Sequence, residues 1–447
     1  MRSLIAPVLA VASLIAPASA APPGADQAPS PLAGYLANGD PTYGWVKRDE
    51  GGLVAASYVE LALTSQTWRG VPWRHQLFII KPALLDARTP HALLFIAGGK
   101  WKEPDGDGGE DLPPDALLYA GIADLLRTPV AVLRQVPHQP LFDGRTEDEL
   151  IAFTFEQYLA TLDPEWPLLL PMVKSAVRAM DAVQEFSAQD WGLEIERFTV
   201  AGASKRGWTA WLTGAIDDRV AAIAPMVFDM LRMGAQIEHQ ETVWGELSEK
   251  LADYVALGLP EQLETSAGRK LRAIVDPYRY RKLLTQPKLM ILGTNDPYWP
   301  ADALNLYWRG LNGPKYILYV PNGDHSLESV FPYLRVAGSL NALHEHVGSG
   351  ARLPRLQWRF EERAGRLMLA VSSDLEPARV TAWIATSETR DFRNARWRAR
   401  RFERRGDAYE FEVEVPDRGY VALFGELTYQ RGGPPYFLST NIRTVGN

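Results

Sequence analysis

The 447-residue chain contains no cysteine. That absence excludes a cysteine nucleophile, a Cys-ligated zinc and a disulfide framework together. Positive charge is also short: 47 Lys and Arg stand against 54 Asp and Glu, a formal charge of −7. A general nucleic-acid binder carries a broad basic excess instead. Beyond residues 1–20 no apolar run approaches the roughly 20 residues that a membrane-spanning helix needs, and no internal repeat is present. Without disulfides the fold must rest on its core. The 46% hydrophobic and 23% charged residues are typical of a globular chain, and the length suffices for two domains.

Residues 1–20 read as a secretory leader, with Arg2 before an apolar stretch over 4–15 and an Ala18-Ser19-Ala20 cleavage signal. The expectation is export, periplasmic or secreted, after cleavage near Ala20. Residues 21–37, rich in Pro, Ala and Gly, read as an N-terminal tail. Short apolar runs follow at 57–63, 73–81, 91–97, 130–133, 198–201, 220–228, 288–293 and 316–320. Helical patterns at 115–127, 171–186, 208–215 and 331–347 alternate with them. Such alternation predicts a mainly parallel sheet wrapped by helices on both faces, over residues 38–348. The Glu- and Leu-rich stretch 229–286 reads as a helical cap inserted into it. After Gly348-Ser349-Gly350 the period changes to two: Tyr409, Phe411, Val413 and Val415 alternate with Glu410, Glu412 and Glu414. This predicts a small antiparallel β-sandwich over 352–447.

One stretch organises the rest. In Phe198-Thr199-Val200-Ala201-Gly202-Ala203-Ser204-Lys205-Arg206-Gly207-Trp208 a β-rich run ends at a glycine, and a serine precedes a helical segment. This is the layout of a nucleophile elbow, G-x-S-x-G, except that Arg206 takes the place of the second glycine and Gly207 follows it. Alone, the string is also an ordinary turn. A serine nucleophile needs a base and a carboxylate to hold that base. Asp296, in Gly293-Thr294-Asn295-Asp296-Pro297, and His325, in Pro321-Asn322-Gly323-Asp324-His325, each follow an apolar run, in the order serine, acid, histidine. The expected triad is Ser204, His325 and Asp296. Asp229 and Asp324 are weaker alternatives for the acid. The oxyanion donors expected are the Lys205 N–H and a group of the turn Gly98-Gly99-Lys100-Trp101, with Gly99 and Lys100 favoured. The Lys205 ammonium is a further donor or a solvated charge.

The elbow with Lys205-Arg206, the segment Trp166-Pro167-Leu168-Leu169-Leu170-Pro171-Met172-Val173-Lys174-Ser175-Ala176-Val177, and Gly293-Thr294-Asn295-Asp296 resemble the PhoPQ-activated pathogenicity-related (PqaA-type) family, from about residue 38 onward. The resemblance implies an α/β-hydrolase fold with an extra β domain, and an exported serine hydrolase without a stated substrate. Locally the elbow is also similar to that of glucuronoyl esterases, with Ala203 in place of their cysteine.

Trp101, His138, Trp244 and Trp299 are candidates to line a substrate cleft, against core packing or loop capping. Acidic residues Asp105, Asp107, Glu110 and Asp111 lack the spacing of a calcium loop and read as solvated, so no metal is assigned. The run 390–405 holds eight arginines, either a solvated strand face or a contact for an anionic envelope surface. No cofactor is required. The expected substrate is a small ester, with a peptide as the alternative. In the peptide case Glu238, Glu241 and Glu246 would serve to bind an amino terminus. A non-catalytic binding role on the same fold is the third reading. A neutral His325 is needed as base, so activity is expected to rise from acidic to neutral pH. The oligomeric state stays open.

Overall fold

The computed structural model describes residues 30–86, 90–100, 115–327 and 330–447. Residues 1–20, for which a leader is expected, Trp101 and the acidic residues at 105–111 lie outside the described residues.

Helix α1 (Pro31–Ala37) opens the described chain. Residues 31–37 are therefore not a loose tail. The Ser30 hydroxyl caps the Ala33 N–H, and Pro31 presets the first helical turn. Leu32 and Tyr35 are buried, and the Tyr35 hydroxyl donates to Gln66 at 2.7 Å.

A nine-stranded sheet follows: β1 (Gly44–Leu53), β2 (Ala56–Trp68), β3 (Val71–Pro82), β4 (His91–Ile96), β5 (Val130–Leu133), β6 (Arg197–Ala203), β7 (Val220–Met226), β8 (Lys288–Gly293) and β9 (Lys315–Val320). The order across it is β1-β2-β3-β5-β4-β6-β7-β8-β9. The first four strands in this order pair antiparallel, and β5 through β9 run parallel. Helices α2 (Ala116–Leu126), α3 (Glu147–Thr161), α4 (Leu169–Trp191) and α5 (Lys205–Ile216) connect the strands. Every residue of β5, β7 and β8 is buried, as central strands covered on both faces require. The strand order and helical crossovers make this an α/β-hydrolase fold. Strand β1 and helix α3 left no clear apolar period in the sequence: β1 has no buried residue, and α3 buries a mixed face.

Between β7 and β8 run α6 (Met233–Trp244), α7 (Ala252–Val255), α8 (Leu259–Gln262) and α9 (Ser266–Val275). Helix α10 (Val330–Ser349) leads to an antiparallel β layer. One of its sheets holds β10 (Leu356–Arg363), β11 (Arg366–Ser373), β14 (Glu403–Arg405) and β15 (Ala408–Glu414). The other holds β12 (Arg379–Ser387), β13 (Arg398–Arg401), β16 (Tyr420–Tyr429), β17 (Tyr436–Ser439) and β18 (Arg443–Gly446). Among the described residues, no helix is long and apolar enough to cross a membrane.

A polar cluster lies inside the main core. His75 is fully buried, with Nδ1 at 3.0 Å from the Arg134 carbonyl and Nε2 at 3.1 Å from the Ser65 hydroxyl. A neutral ring donating from Nδ1 and accepting at Nε2 satisfies both contacts. Burial, with His138 beside it, pushes its pKa from 6.5 down to about 3. The unfolded chain therefore binds this proton first, so the contribution of His75 is complete above about pH 6.5 and is lost as pH falls towards 3. His75→Gln is expected to be less stable than wild type at pH 7. The gap should narrow by about 1.4 kcal/mol per pH unit between pH 6 and pH 4. Urea unfolding of both proteins at four pH values measures it; a gap independent of pH contradicts the assignment.

Candidate active site

Three loops at the C-terminal ends of β6, β8 and β9 meet. Ser204 follows β6 with φ 56° and ψ −126°, a left-handed conformation that non-glycine residues rarely adopt. It is held by its N–H on the Met226 carbonyl at 2.9 Å, while the Ser204 carbonyl accepts from Trp208 N–H at 3.0 Å. The departure from the usual elbow spacing has a steric cause. A Cβ on Gly202 would stand 2.6 Å from the Arg206 carbonyl oxygen. One on Gly207 would stand 2.9 Å from the Met226 oxygen and 3.0 Å from that of Gly202. The second glycine is needed where α5 crosses β6 and β7, at 207, and position 206 is free to carry a long side chain.

His325 Nε2 lies 2.9 Å from Ser204 Oγ, and its Nδ1 lies 2.8 Å from Asp296 Oδ2. The Asp296 carboxylate fixes the proton on Nδ1, which leaves the Nε2 lone pair facing the serine hydroxyl. Asp296 is buried and its other oxygen accepts from Tyr298 N–H at 2.9 Å. The Tyr298 ring lies 4.1 Å from the imidazole, tilted by 31°. Asp229 does not reach His325. It takes a 2.5 Å hydrogen bond from the Tyr307 hydroxyl, and burial raises its pKa to about 7. Asp324 turns back on the Ser326 N–H and hydroxyl.

The acid and histidine loops are joined to each other. Asn295 N–H donates to the Gly323 carbonyl at 2.9 Å and Asn322 N–H to Thr294 Oγ1 at 2.8 Å. A Cβ on Gly293 would meet the Gly323 and Asp324 carbonyls at 2.5 and 2.6 Å, so only glycine permits this approach. Both loops are also tied to the β layer. The Asn295 side-chain amide donates to the carbonyls of Phe392, Arg393 and Ala395 at 3.3, 3.0 and 2.7 Å. Asn322 pairs with the Trp397 backbone in both directions, at 3.1 and 2.8 Å. From this strap Arg393 reaches Glu249 at 2.9 Å and lies 4.2 Å over the Trp244 ring.

The two basic residues of the elbow have defined partners. Arg206 makes a bidentate pair with Glu147 at 2.7 and 2.8 Å and donates Nε to the Val136 carbonyl. Lys205 Nζ stands 2.9 Å from Glu147 and 3.3 Å from Asp148. Burial raises the Glu147 pKa, but the Arg206 and Lys205 charges outweigh it and hold the carboxyl down to about 2. Gln139 extends the network by bonding Glu147 at 2.6 Å and the Gly99 carbonyl at 3.0 Å. The Lys205 ammonium is thus engaged by carboxylates and is not aimed at an oxyanion. Its backbone N–H belongs to the first turn of α5, where no intrahelical acceptor exists. Gly99, at φ +121°, and exposed Lys100 follow β4, which neighbours β6. Glu147 and Asp148 were missed in the sequence, although Thr146 before Glu147-Asp148-Glu149 is a helix-start signature.

A cavity of about 70 Å³ opens beside Ser204. Its wall is apolar: Phe155, Trp208, Phe228, Met230, Met233, Ile237, Leu251, Leu259 and Leu263, with Tyr254, Tyr298 and Trp299. Trp299 is among the residues lining it. His138 is not: it is buried against Trp73 and His75, on the β3 side of the sheet. Trp244 lies outside the cavity, covered by Arg393. Glu238, Glu241 and Glu246 are exposed and do not line it. The carboxylate that does, Asp148, is met by Lys205 and by the Tyr254 hydroxyl at 3.1 Å. Among the described residues, no group of three His, Asp or Glu could hold a metal ion.

Residues 32–393 match the family described as PhoPQ-activated pathogenicity-related protein. Autocrine proliferation repressor protein A of Dictyostelium discoideum is 33% identical over 388 residues, covering 81% of this chain and 76% of that protein. The chain belongs to the PhoPQ-activated pathogenicity-related family. Among solved structures, this family member is similar to an acetyl xylan esterase from Paenibacillus sp. R4, at 13% identity and TM-score 0.47, over 67% of this chain and 87% of that one. It is also similar to a glucuronoyl esterase from Solibacter usitatus, at 13% identity and TM-score 0.40, over 66% and 86% of the two chains.

Proposed function

We propose that this member of the PhoPQ-activated pathogenicity-related family is a serine hydrolase that cleaves carboxylic esters. The observation that carries the reading is the unbroken chain Ser204 Oγ, His325 Nε2, His325 Nδ1, Asp296 Oδ2, with contacts of 2.9 and 2.8 Å above a strained elbow. In this reading His325 takes the hydroxyl proton as Ser204 Oγ attacks the acyl carbon. The N–H of Lys205 and a donor of the Gly99–Lys100 turn stabilise the oxyanion. The imidazolium then returns the proton to the leaving alkoxide, and a water activated by His325 releases the acid. The same reading includes export after removal of residues 1–20, and a division into a hydrolase domain over 38–348, with its cap at 229–286, and a sandwich over 352–447.

An apolar cavity beside Ser204 favours a short uncharged acyl chain. Each methylene buried is worth about 0.8 kcal/mol, so kcat/KM is expected to rise about threefold to fourfold per carbon from acetate to butyrate p-nitrophenyl esters. A succinate monoester, with its charge, should be cleaved far more slowly than butyrate. A flat series would place the acyl group elsewhere. Peptide cleavage guided by a free amino terminus is less well supported, because Asp148 is already neutralised by Lys205.

The deciding experiment is fluorophosphonate labelling of wild type and Ser204→Ala. Labelling that disappears with Ser204 supports the reading. Labelling retained in the variant contradicts it. The name of the Dictyostelium relative describes repression of proliferation, which keeps a binding role as the second reading. Under that role, Ser204→Ala would retain full biological effect.

A further inference from the structure

A second and larger cleft lies at the seam between the nine-stranded sheet and the β layer, with a volume of about 750 Å³. Its floor includes Lys315 and Tyr316, the first residues of β9, whereas His325 follows the other end of that strand. A six-residue strand spans about 20 Å, so the cleft opens at the opposite edge of the sheet from Ser204. It is not part of the site described above.

Two features define its chemistry. Trp308, from the connection before β9, and Trp358, from β10, line it with ring centroids 5.7 Å apart and a 40° tilt. Both are half-buried. Rings this close touch each other and leave no slot for a third ring between them. They form a continuous apolar platform rather than a sandwich. Lys315 holds Trp308 in place, donating to the Trp308 and Leu311 carbonyls at 2.7 and 2.8 Å with its ammonium 4.9 Å from the indole centre.

The second feature is charge. Lys315, His346, Arg352 and Arg355 line the cleft, and no carboxylate is among its lining residues. Arg352 pairs with Asp374 at 2.6 Å. Asp374 also accepts the Arg355 N–H at 2.7 Å; against its partial burial, this bond and both arginine charges hold its carboxyl below the usual range. The exposed Arg355 guanidinium makes no ion pair within 4.0 Å among the described residues. A locally positive cleft on a chain of net charge −7 is suited to an anionic ligand. A platform of adjoining indoles suits the apolar faces of successive pyranose rings, while a planar guanidinium at its edge takes a carboxylate in bidentate fashion.

We propose that this cleft is a binding site for an acidic oligosaccharide of the uronic acid class, with sugar rings on Trp308 and Trp358 and a ring carboxylate on Arg355. The test is calorimetric titration of the full chain with trigalacturonate, with cellotriose as the neutral control and ATP as a competing anion with an aromatic base. Trigalacturonate is expected to bind, to weaken about tenfold in Arg355→Gln and in Trp358→Ala, and to weaken in 0.5 M salt. Arg355 is exposed, so its variant will fold, and matching urea unfolding curves check this. Absence of trigalacturonate binding overturns the proposal. So does equal binding of cellotriose, tighter binding of ATP, or unchanged binding by Arg355→Gln. Binding that persists in Ser204→Ala supports a site separate from the hydrolytic one, and loss there overturns it. The proposal therefore stands or falls independently of the hydrolase reading.

Discussion

Asp296→Asn is expected to lower kcat by about 10⁴-fold. The carboxylate accepts the Nδ1 proton of His325 at 2.8 Å. An amide can present its NH₂ to that nitrogen, which moves the ring proton to Nε2. The ring then has no lone pair for the Ser204 hydroxyl 2.9 Å away, and the base is lost although the geometry survives. Asp229→Asn is the control. Asp229 is buried, and its pKa of about 7 leaves it largely protonated below neutrality, so asparagine replaces it with little change of charge. Its kcat should stay within about tenfold of wild type, since its partner is Tyr307 and not His325. Both variants should retain wild-type unfolding curves within about 2 kcal/mol. Equal losses of activity in the two would remove Asp296 from the role assigned to it.

Trp397→Ala should have the largest effect on stability, about 3–5 kcal/mol. Trp397 is 2% exposed and packs 5.3 Å from Phe424 and 6.2 Å from Phe392. Deleting it leaves a cavity under the strap that carries Arg393 and Ala395 to the loop of Asp296. Urea unfolding measures the loss, and a variant as stable as wild type would sink the idea. Activity should fall with it even where the variant is folded, because the backbone of residue 397, which pairs with Asn322 three residues before His325, is no longer anchored by a buried indole. Asn322→Ala separates the two effects: it keeps the indole in place and removes the tie. A kcat decrease of about tenfold with unchanged KM is the expected outcome, since a displaced base affects the chemical step and not binding.

The strap explains why the arginine run at 390–405 reads ambiguously in the sequence. Arg393 and Arg390 turn inward, to Asp391 and Glu249 and to Asp302. Arg404 and Arg405 pair with Glu376, Glu403 and Glu410 on the sandwich surface. Arg398, Arg400 and Arg401 are exposed on β13. Composition treats these as one patch, while pairing across strands divides them.

What the sequence determined by itself is local and periodic. Apolar runs of strand length marked all the parallel strands, because a strand buried on both faces is filled mainly by apolar side chains. Where a charge enters, as at Lys288 in β8, its ammonium is taken up by the Gln286 and Asn312 carbonyls. The order of Ser204, Asp296 and His325, each just past such a run, was legible for the same reason: parallel strands deliver their following loops to one edge. The change of period after residue 350 announced the antiparallel layer. The tertiary structure decided what depends on contacts between distant segments. It brings the carboxylate of Asp296, and not that of Asp229, to the imidazole of His325. It moved His138 into a buried cluster with Trp73 and His75, and placed Trp244 beneath Arg393. It converted Lys205 and Arg206 from free cations into partners of Glu147, a residue some 60 positions earlier, and it placed Asn295 and Asn322 against a loop about 100 and 75 residues away. Charges and amides carry no periodic signature, so their partners are fixed only when the chain closes on itself.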